Sequence, residues 1–175
     1  TKAPSPLAYA NYIFFFLSCV SGPIQRYQDF ASQTSKPMPC KTPTELSVAL
    51  HRIVNGFIMV IAVCAFTASL SQKLEKYWLI SNARGSDFTT LVFFSAAAFT
   101  HLVHLYINFS GYMHICIGIS KLLGYSLPEN FDAPYKAKNL LDFWTRWHIT
   151  LSEWFKLYIF NPSLRFLQSR WGPAI

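Results

Sequence analysis

The stretch "FTTLVFFSAAAFTHLVHLYI", Phe88 to Ile107, is a run of twenty residues without a charged side chain. A helix of about 20 apolar residues is long enough to cross the hydrocarbon core of a bilayer. A second stretch, "IVNGFIMVIAVCAFTASLS", runs from Ile53 to Ser71 and is also uncharged over nineteen residues. These two runs predict membrane-spanning helices, and they set the fold class of the chain.

Two further observations extend this helical pattern toward the N-terminus. The segment "LAYANYIFFFLSCVSG" is uncharged and predicts a short span of residues 7–22. The helix that contains Ile53 should cover residues 46–71 and begin near Thr42 or Thr44, because proline is favoured in the first turn of a helix. Strand patterns are not convincing anywhere, so the sequence predicts an all-α, multi-pass transmembrane helical bundle that is present only in part.

The apolar run that begins at Phe88 continues into "NFSGYMHICIGISKLLGY", which contains two glycines. Because glycine is unfavourable inside a helix, we expect a broken helix, with the break near Asn108–Gly111. The two parts are then predicted at 88–107 and 110–123.

The remaining segments are more polar. Charged and proline-bearing stretches predict loops at 72–87 and 126–139. An amphipathic helix follows at 139–160, and we expect Asn161-Pro162 to end it. Its polar face would lie along the membrane interface or line an internal chamber.

Composition supports a membrane-embedded chain. Charged residues make up 13% of the sequence, about half of the usual share of roughly 25%, and aromatic residues reach 17%. The net charge is +7, but the basic residues stand singly between apolar runs, whereas nucleic-acid binders cluster them on one surface. We therefore expect a lipid bilayer as a partner and no nucleic acid.

Cysteine and histidine usage gives little indication of a metal or a disulfide framework. The four cysteines, Cys19, Cys40, Cys64 and Cys116, form no CxxC pair and are interpreted as small buried apolar residues. Five histidines are present without an HxxHH box, so we expect no metal and no cofactor. A membrane di-iron oxygenase is kept as a lesser alternative.

The segment "FWTRWHITLSEWF", residues 143–155, surrounds His148 with large aromatic rings. On a continuous helix, with 100° per residue, His148 falls on the apolar face, and the opposite face carries Asp142, Arg146, Thr150 and Glu153. Asp142 and Arg146 can also pair, because they are four residues apart. Two interpretations of His148 stay open: a core histidine with one hydrogen-bond partner, or a proton-transfer residue whose pKa is lowered by apolar surroundings.

Two other motifs carry polar residues. In "HLVHLYINFSGYMH", His101, His104 and Asn108 share one helix face, which is typical of a substrate path or of interhelical hydrogen bonds. In "SGPIQRYQDF", a Gly-Pro turn followed by Arg26 fits a helix end with an interfacial basic anchor.

Three blocks, residues 21–30, 106–139 and 140–162, together resemble the membrane-bound O-acyltransferase family, and most of all its bacterial branch of alginate O-acetyltransferases and teichoic-acid D-alanyl transfer proteins. The last block is the most specific. It matches the family pattern F-W-x-R-W-H-x-[ST]-x-S at Phe143, Trp144, Arg146, Trp147, His148, Thr150 and Ser152.

The resemblance implies a multi-helix fold around a central chamber in the inner membrane. It implies transfer of an acyl group, such as acetyl, from a thioester carrier or coenzyme A type donor. The acceptor would be a hydroxyl of a cell-envelope polysaccharide such as alginate or of a related polymer, and partner envelope proteins are expected. His148 would be catalytic, and the residues expected to bind substrate or line the chamber are Arg146, Trp144, Asn108, Tyr112 and His104.

Two departures from the family pattern stand out. Met113 and His114 occupy positions where relatives commonly carry a small residue and an aspartate. The second family histidine, usually in a W-H-G context, does not occur in this sequence. We therefore expect residues 1–175 to be a single fragment of a larger acyltransferase domain, inactive alone. A multi-pass transporter or scaffold subunit, suggested by the expected break near Gly111, is the main alternative.

Overall fold

The structure is a computed structural model that describes residues 5–36, 42–85 and 87–172. Within these ranges the regular elements are helical, which confirms the predicted all-α class. The α-helices are α1 Pro6–Ile13, α2 Tyr27–Ser35, α3 Pro43–Phe57, α4 Cys64–Ala83, α5 Asp87–Leu122, α6 Leu140–Arg146, α7 Ile149–Phe155 and α8 Asn161–Trp171. Two π-helical segments, Ile58–Val63 and Lys156–Phe160, and a 3-10 turn, Pro134–Lys136, complete the list.

The chain forms two compact units. One unit comprises residues 42–119, and the other comprises residues 1–41 together with 120–175. We refer to them as the long-helix unit and the His148 unit.

The long-helix unit begins with a capping box. Thr42 Oγ1 accepts a hydrogen bond from the Glu45 N–H at 3.2 Å, and the Glu45 carboxylate accepts one from the Thr42 N–H at 3.4 Å. Pro43 follows in the first turn, where its missing N–H costs no intrahelical hydrogen bond. The predicted helix start at Thr42 is thereby confirmed.

The predicted end of this helix at residue 71, and the loop at 72–87, are wrong. The helical course runs without interruption from Pro43 to Ala83, because the charged residues Lys73, Glu75 and Lys76 are good helix formers and lie exposed on its surface. Gly85, with φ of 68°, follows the end of the helix in the left-handed region that glycine adopts readily.

The predicted break near Asn108–Gly111 is also wrong, since α5 is one helix from Asp87 to Leu122. A Cβ built on Gly111 would come within 2.9 Å of Met59 Cβ, and one on Gly56 would come within 2.6 Å of the Gly111 carbonyl. A Cβ on Gly118 would come within 2.9 Å of the Ala49 carbonyl. These glycines let two helices approach closely, and they do not interrupt the helix that carries them.

Two helical stretches, Pro43–Ala83 and Asp87–Leu122, are long and apolar enough to cross a membrane. Only 17% and 6% of their most apolar windows are buried inside the structure. Core helices of soluble proteins bury most of such a surface, so the exposed apolar side chains fit contact with lipid.

The predicted span at 7–22 is wrong. In the His148 unit, α1 stops at Ile13 after eight residues, a length of about 12 Å that falls far short of a bilayer core of about 30 Å. The chain then turns irregularly up to Arg26. A Cβ on Gly22 would lie 1.9 Å from the Leu17 carbonyl oxygen, so only glycine fits where the chain folds back on itself.

The predicted amphipathic helix at 139–160 is wrong in two respects. It is broken at Trp147 and His148, which separate α6 from α7. It also does not end at Asn161-Pro162, because the π-helical segment Lys156–Phe160 accommodates the proline and α8 continues to Trp171. A broken helix was expected in this fold, but it lies at His148.

Candidate active site

The segment that carries His148 is held by backbone hydrogen bonds to a neighbouring loop. The Asp132 N–H donates to the Arg146 carbonyl at 3.0 Å, and the Ile149 N–H donates to the Asn130 carbonyl at 3.0 Å. These bonds flank an antiparallel bridge between Phe131 and Trp147. The loop therefore fixes the backbone on both sides of His148.

A buried polar network strengthens this attachment. Asn130 is 0% exposed and Thr150 is 3% exposed. The Thr150 hydroxyl donates to Asn130 Oδ1 at 2.6 Å, and the Thr150 N–H donates to the same oxygen at 3.3 Å. Thr150 Oγ1 also accepts a hydrogen bond from the Ile24 N–H at 3.1 Å. One hydroxyl thus connects α7 to the Asn130 loop and to the "SGPIQRYQDF" motif.

His148 itself has φ of 45° and ψ of 54°, in the left-handed region. A residue with a Cβ is held there at a cost of about 1–3 kcal/mol, and such residues concentrate at functional sites. The helix break is therefore a property of the surrounding hydrogen bonds, which over-determine the backbone of this one residue. The carbonyl of His148 also accepts from the N–H groups of Leu151 and Ser152, at 3.0 and 3.1 Å, and so begins α7.

This geometry overturns the continuous-helix projection that placed His148 on the apolar face of a helix. The side chain of His148 is half-buried, and its Nδ1 atom is buried. Burial lowers the pKa of the imidazole, and a hydrogen bond with its own backbone opposes that shift in part. The lowered pKa favours the neutral imidazole, which is the form that can accept a proton.

Arg146 belongs to an ion-pair cluster next to His148. Its Nε donates to Asp142 Oδ1 at 2.8 Å, which confirms the predicted pair, and its Nη1 lies 3.2 Å from Asp132 Oδ2. A backbone hydrogen bond from Lys138 and then the Arg146 side chain hold the pKa of Asp142 below its ordinary value. Arg146 thus links α6 to the loop that fixes His148.

The aromatic rings around His148 fall into two groups. Trp147 stacks on Phe143 with ring centroids 5.5 Å apart, and it meets Phe131 edge-on at 5.1 Å. Trp144 also meets Phe143 edge-on, but its side chain is 53% exposed. Trp147 therefore helps to pack the break, whereas Trp144 is open to contact a partner or lipid.

Three other predicted site residues lie in the long-helix unit, on α5. His104 Nδ1 lies 2.8 Å from Thr67 Oγ1, which is the interhelical hydrogen bond that was one of the two interpretations of this motif. Asn108 is exposed and Tyr112 is half-buried. Among the predicted residues, the structure brings His148, Arg146 and Trp144 together in one unit.

Sequence reasoning missed the residues that position His148. Asn130 lies in the predicted loop 126–139. The continuous-helix projection places Thr150 on the polar face of a helix. Their pairing has no local sequence signal, because Asn130 and Thr150 are twenty residues apart in sequence. Cys64 and Cys116 are buried free thiols, as predicted, whereas the free thiol Cys19 is exposed, so that prediction is wrong for Cys19. Cys40 lies outside the described residues.

No group of three or more His, Cys, Asp or Glu side chains within residues 5–36, 42–85 and 87–172 is placed to hold a metal ion.

Comparison with known proteins supplies the context for this site. The membrane-bound O-acyltransferase (MBOAT) family matches residues 1–173. The chain is 29% identical over 150 residues to a teichoic acid D-alanyltransferase of Bacillus subtilis, with 85% of this chain and 36% of the relative covered. It is 32% identical over 160 residues to a peptidoglycan O-acetyltransferase of Helicobacter pylori, with 89% of this chain and 28% of the relative covered.

A probable alginate O-acetylase AlgI of Pseudomonas fluorescens is 29% identical over 152 residues, with 87% of this chain and 28% of the relative covered. The chain thus spans about a third of the length of these curated relatives. Because the family match extends over nearly the whole sequence, this chain belongs to the membrane-bound O-acyltransferase family.

Proposed function

We propose that the full-length protein containing this chain is an O-acyltransferase of the cell envelope. It moves a small acyl group, such as acetyl, from a thioester carrier or coenzyme A type donor to a hydroxyl of a polysaccharide or related polymer. Family membership supports the reaction class. The names of three relatives, which include alginate, teichoic acid and peptidoglycan, support an envelope polymer as the acceptor.

His148 is the proposed general base, and its backbone geometry is the observation that carries this assignment. The residue is held in the left-handed region at a helix break, and its lowered pKa keeps the imidazole neutral. A neutral imidazole can take the proton of an acceptor hydroxyl near pH 7. The surrounding hydrogen bonds hold this conformation, and residues held in strained backbone conformations concentrate at functional sites.

The imidazole of His148 takes the hydroxyl proton as the hydroxyl oxygen attacks the acyl carbonyl carbon. A new ester C–O bond forms and the bond from the carbonyl carbon to the donor's leaving group breaks. The imidazolium then returns the proton to the leaving group, so that His148 ends the cycle neutral.

The other predicted site residues take supporting roles in this proposal. Arg146 positions the His148 segment through its carboxylate partners, and Trp144 offers an exposed ring to the substrate. In the long-helix unit, Asn108, Tyr112 and His104 are proposed to line the substrate path of the complete protein, with His104 held by Thr67.

The proposed setting is a multi-pass protein of the inner membrane, with residues 1–175 forming part of one larger acyltransferase domain. Partner envelope proteins are expected to deliver the acyl group or receive the polymer. The two membrane-length helices support this setting. The transporter alternative rested on a helix break near Gly111 and on the polar stripe of His101, His104 and Asn108, and the unbroken α5 removes the first of these two supports.

The test is acyl transfer to polymer by the full-length protein in membranes, with His148→Ala compared with wild type. General acid–base catalysis commonly contributes about 10²–10⁴-fold, so a loss of at least about a hundredfold is expected. His51→Ala is the matched control, because His51 is an exposed histidine on α3, and its transfer should stay near wild type. Near-normal transfer by His148→Ala would remove the assignment.

A further inference from the structure

A small cavity lies in the His148 unit beside α7. Its volume is about 60 Å³. A cavity needs roughly 10–15 Å³ to hold one water molecule, so this one has room for a group as small as a hydroxyl. Apart from three largely apolar residues, it is lined by Tyr12, Gln25, Arg26, Thr150, Glu153 and Tyr158.

Gln25 is the unusual member of this lining. Its side chain is only 7% exposed, and its Oε1 atom is buried with no hydrogen-bond partner among the described residues. Buried amide oxygens in folded proteins almost always accept a hydrogen bond, and an exception requires an explanation. The orphaned oxygen points to a missing donor.

Two of the hydroxyls that line the cavity, those of Tyr12 and Thr150, already donate to other oxygens. The Tyr12 hydroxyl donates to the backbone carbonyl of Gln25 at 2.6 Å. The Thr150 hydroxyl donates to Asn130 Oδ1 at 2.6 Å. A ligand that bonds to Gln25 Oε1 must bring its own hydrogen, because an amide oxygen only accepts; a neutral hydroxyl has such a hydrogen and an ionised carboxylate does not.

The position of the cavity favours a group that belongs to a larger molecule. Arg26 and Glu153 line it and are both exposed, so the cavity reaches the surface of this unit. A single hydroxyl-bearing carbon can enter while the rest of a polymer stays outside. Thr150, which also lines the cavity, lies in the first turn of α7, the helix that begins after His148.

We propose that this cavity is a binding site for one hydroxyl group of the acceptor, and that the amide of Gln25 turns toward the cavity when the hydroxyl binds, so that Oε1, which is buried in this structure, accepts its hydrogen. The site would hold a hydroxyl next to the one that reacts and so fix the orientation of the acceptor. This proposal rests on the proposed acyltransferase function and adds to it a substrate-binding residue, Gln25, from the "SGPIQRYQDF" motif.

The test compares Gln25→Met with wild type in the full-length protein, using the polymer that the wild type acylates as the acceptor. Methionine keeps the approximate shape and removes the acceptor oxygen. Loss of one hydrogen bond should raise the KM for the acceptor roughly two- to tenfold, with the KM for the donor unchanged. Gln25→Glu keeps an acceptor oxygen and should lie closer to wild type.

Gln28→Met is the matched control, because Gln28 is an exposed glutamine on α2 that does not line the cavity. The KM of this variant for the acceptor should not change. An unchanged acceptor KM in Gln25→Met overturns the proposal and assigns a structural water to the cavity. If Gln25→Met does not fold, Glu153→Gln, an exposed change on the cavity wall, decides: the acceptor KM rises, or the proposal fails. Absence of transfer by the wild type would overturn the proposed function as well.

Discussion

Gly111 and His148 stand in opposite relation to the helices around them. Gly111 lies within the 36-residue helix α5 and keeps a helical backbone, whereas His148 separates α6 from α7 with φ of 45°. The glycine, which could break a helix at little cost, is used for close packing. The histidine, which resists the left-handed region, is placed there by hydrogen bonds from other segments.

The two units differ in the interactions that hold their backbones in place. In the long-helix unit, Gly56 and Gly111 have no side chain, so the two helix backbones can approach closely at these positions. In the His148 unit, the Asn130 loop supplies backbone and side-chain acceptors that hold a strained residue. Close packing stabilises the first unit, and buried polar bonds position a functional group in the second.

The largest effect on this comparison is expected from Gly111→Leu. A Cβ alone would come within 2.9 Å of Met59 Cβ and Val60 Cγ2, so a leucine forces the two helices apart. Overpacking of this kind costs about 1–3 kcal/mol or more. We expect a lower melting temperature, or loss of folded protein, in detergent-solubilised full-length protein.

Ala98→Leu provides the control for that prediction, because Ala98 is an exposed small residue on the same helix. Its melting temperature should stay near wild type. Equal melting temperatures for wild type and Gly111→Leu would contradict the close-packing role of Gly111.

A smaller effect is expected from Thr150→Val, which keeps the shape of the side chain and removes its hydroxyl. The change removes the bonds to Asn130 Oδ1 and from the Ile24 N–H. Leaving buried polar groups unsatisfied costs about 1–3 kcal/mol. Transfer should fall about tenfold, because His148 is less precisely held. Melting and transfer assays on the same preparation measure both effects.

Two variants sharpen that prediction. Thr150→Ser keeps the hydroxyl and should recover most of the transfer activity. Thr145→Val changes an exposed threonine, whose hydroxyl donates only to the Asp142 carbonyl of its own helix, and should have little effect. A wild-type rate in Thr150→Val would show that the polar network does not position His148.

The smallest expected effect concerns pH. Because burial lowers the pKa of His148, the imidazole stays neutral down to a pH below the ordinary value of about 6.5. The transfer rate should therefore stay constant as pH falls to about 6.5 and should decline only at a lower pH, where the imidazole becomes protonated. A rate profile between about pH 5 and 8 measures the inflection; an inflection above the ordinary value would contradict the burial effect.

The same shift has a consequence for stability. Between the lowered and the ordinary pKa, the unfolded chain binds a proton at His148 that the folded chain does not bind. The contribution of His148 to the free energy of unfolding is fully present above its ordinary pKa, and it is lost as pH falls through the lowered pKa.

Features fixed by neighbours in sequence could be predicted. The capping box at Thr42 and Glu45 and the ion pair of Asp142 with Arg146 depend on spacings of three and four residues, so a helical pattern reveals them. The all-α class and the two membrane-length helices follow from composition and run length in the same way.

Features fixed by distant segments could not be predicted. The break at His148 depends on Asn130, and Thr150 receives a hydrogen bond from Ile24, 126 residues away in sequence. The family pattern marked His148 as a site residue, yet it did not reveal the backbone conformation. Gly111 was ambiguous for a related reason, because a glycine favours both a helix break and a close helix contact, and only the packing partner decides between them.

The most direct test of the account is His148→Gly in the full-length protein. Glycine adopts the left-handed region without strain, so the melting temperature should equal or exceed that of the wild type. Transfer should fall by at least about a hundredfold and recover in part when free imidazole is added. Wild-type transfer by His148→Gly, with or without imidazole, would contradict the claim that the hydrogen-bonded break exists to position a base.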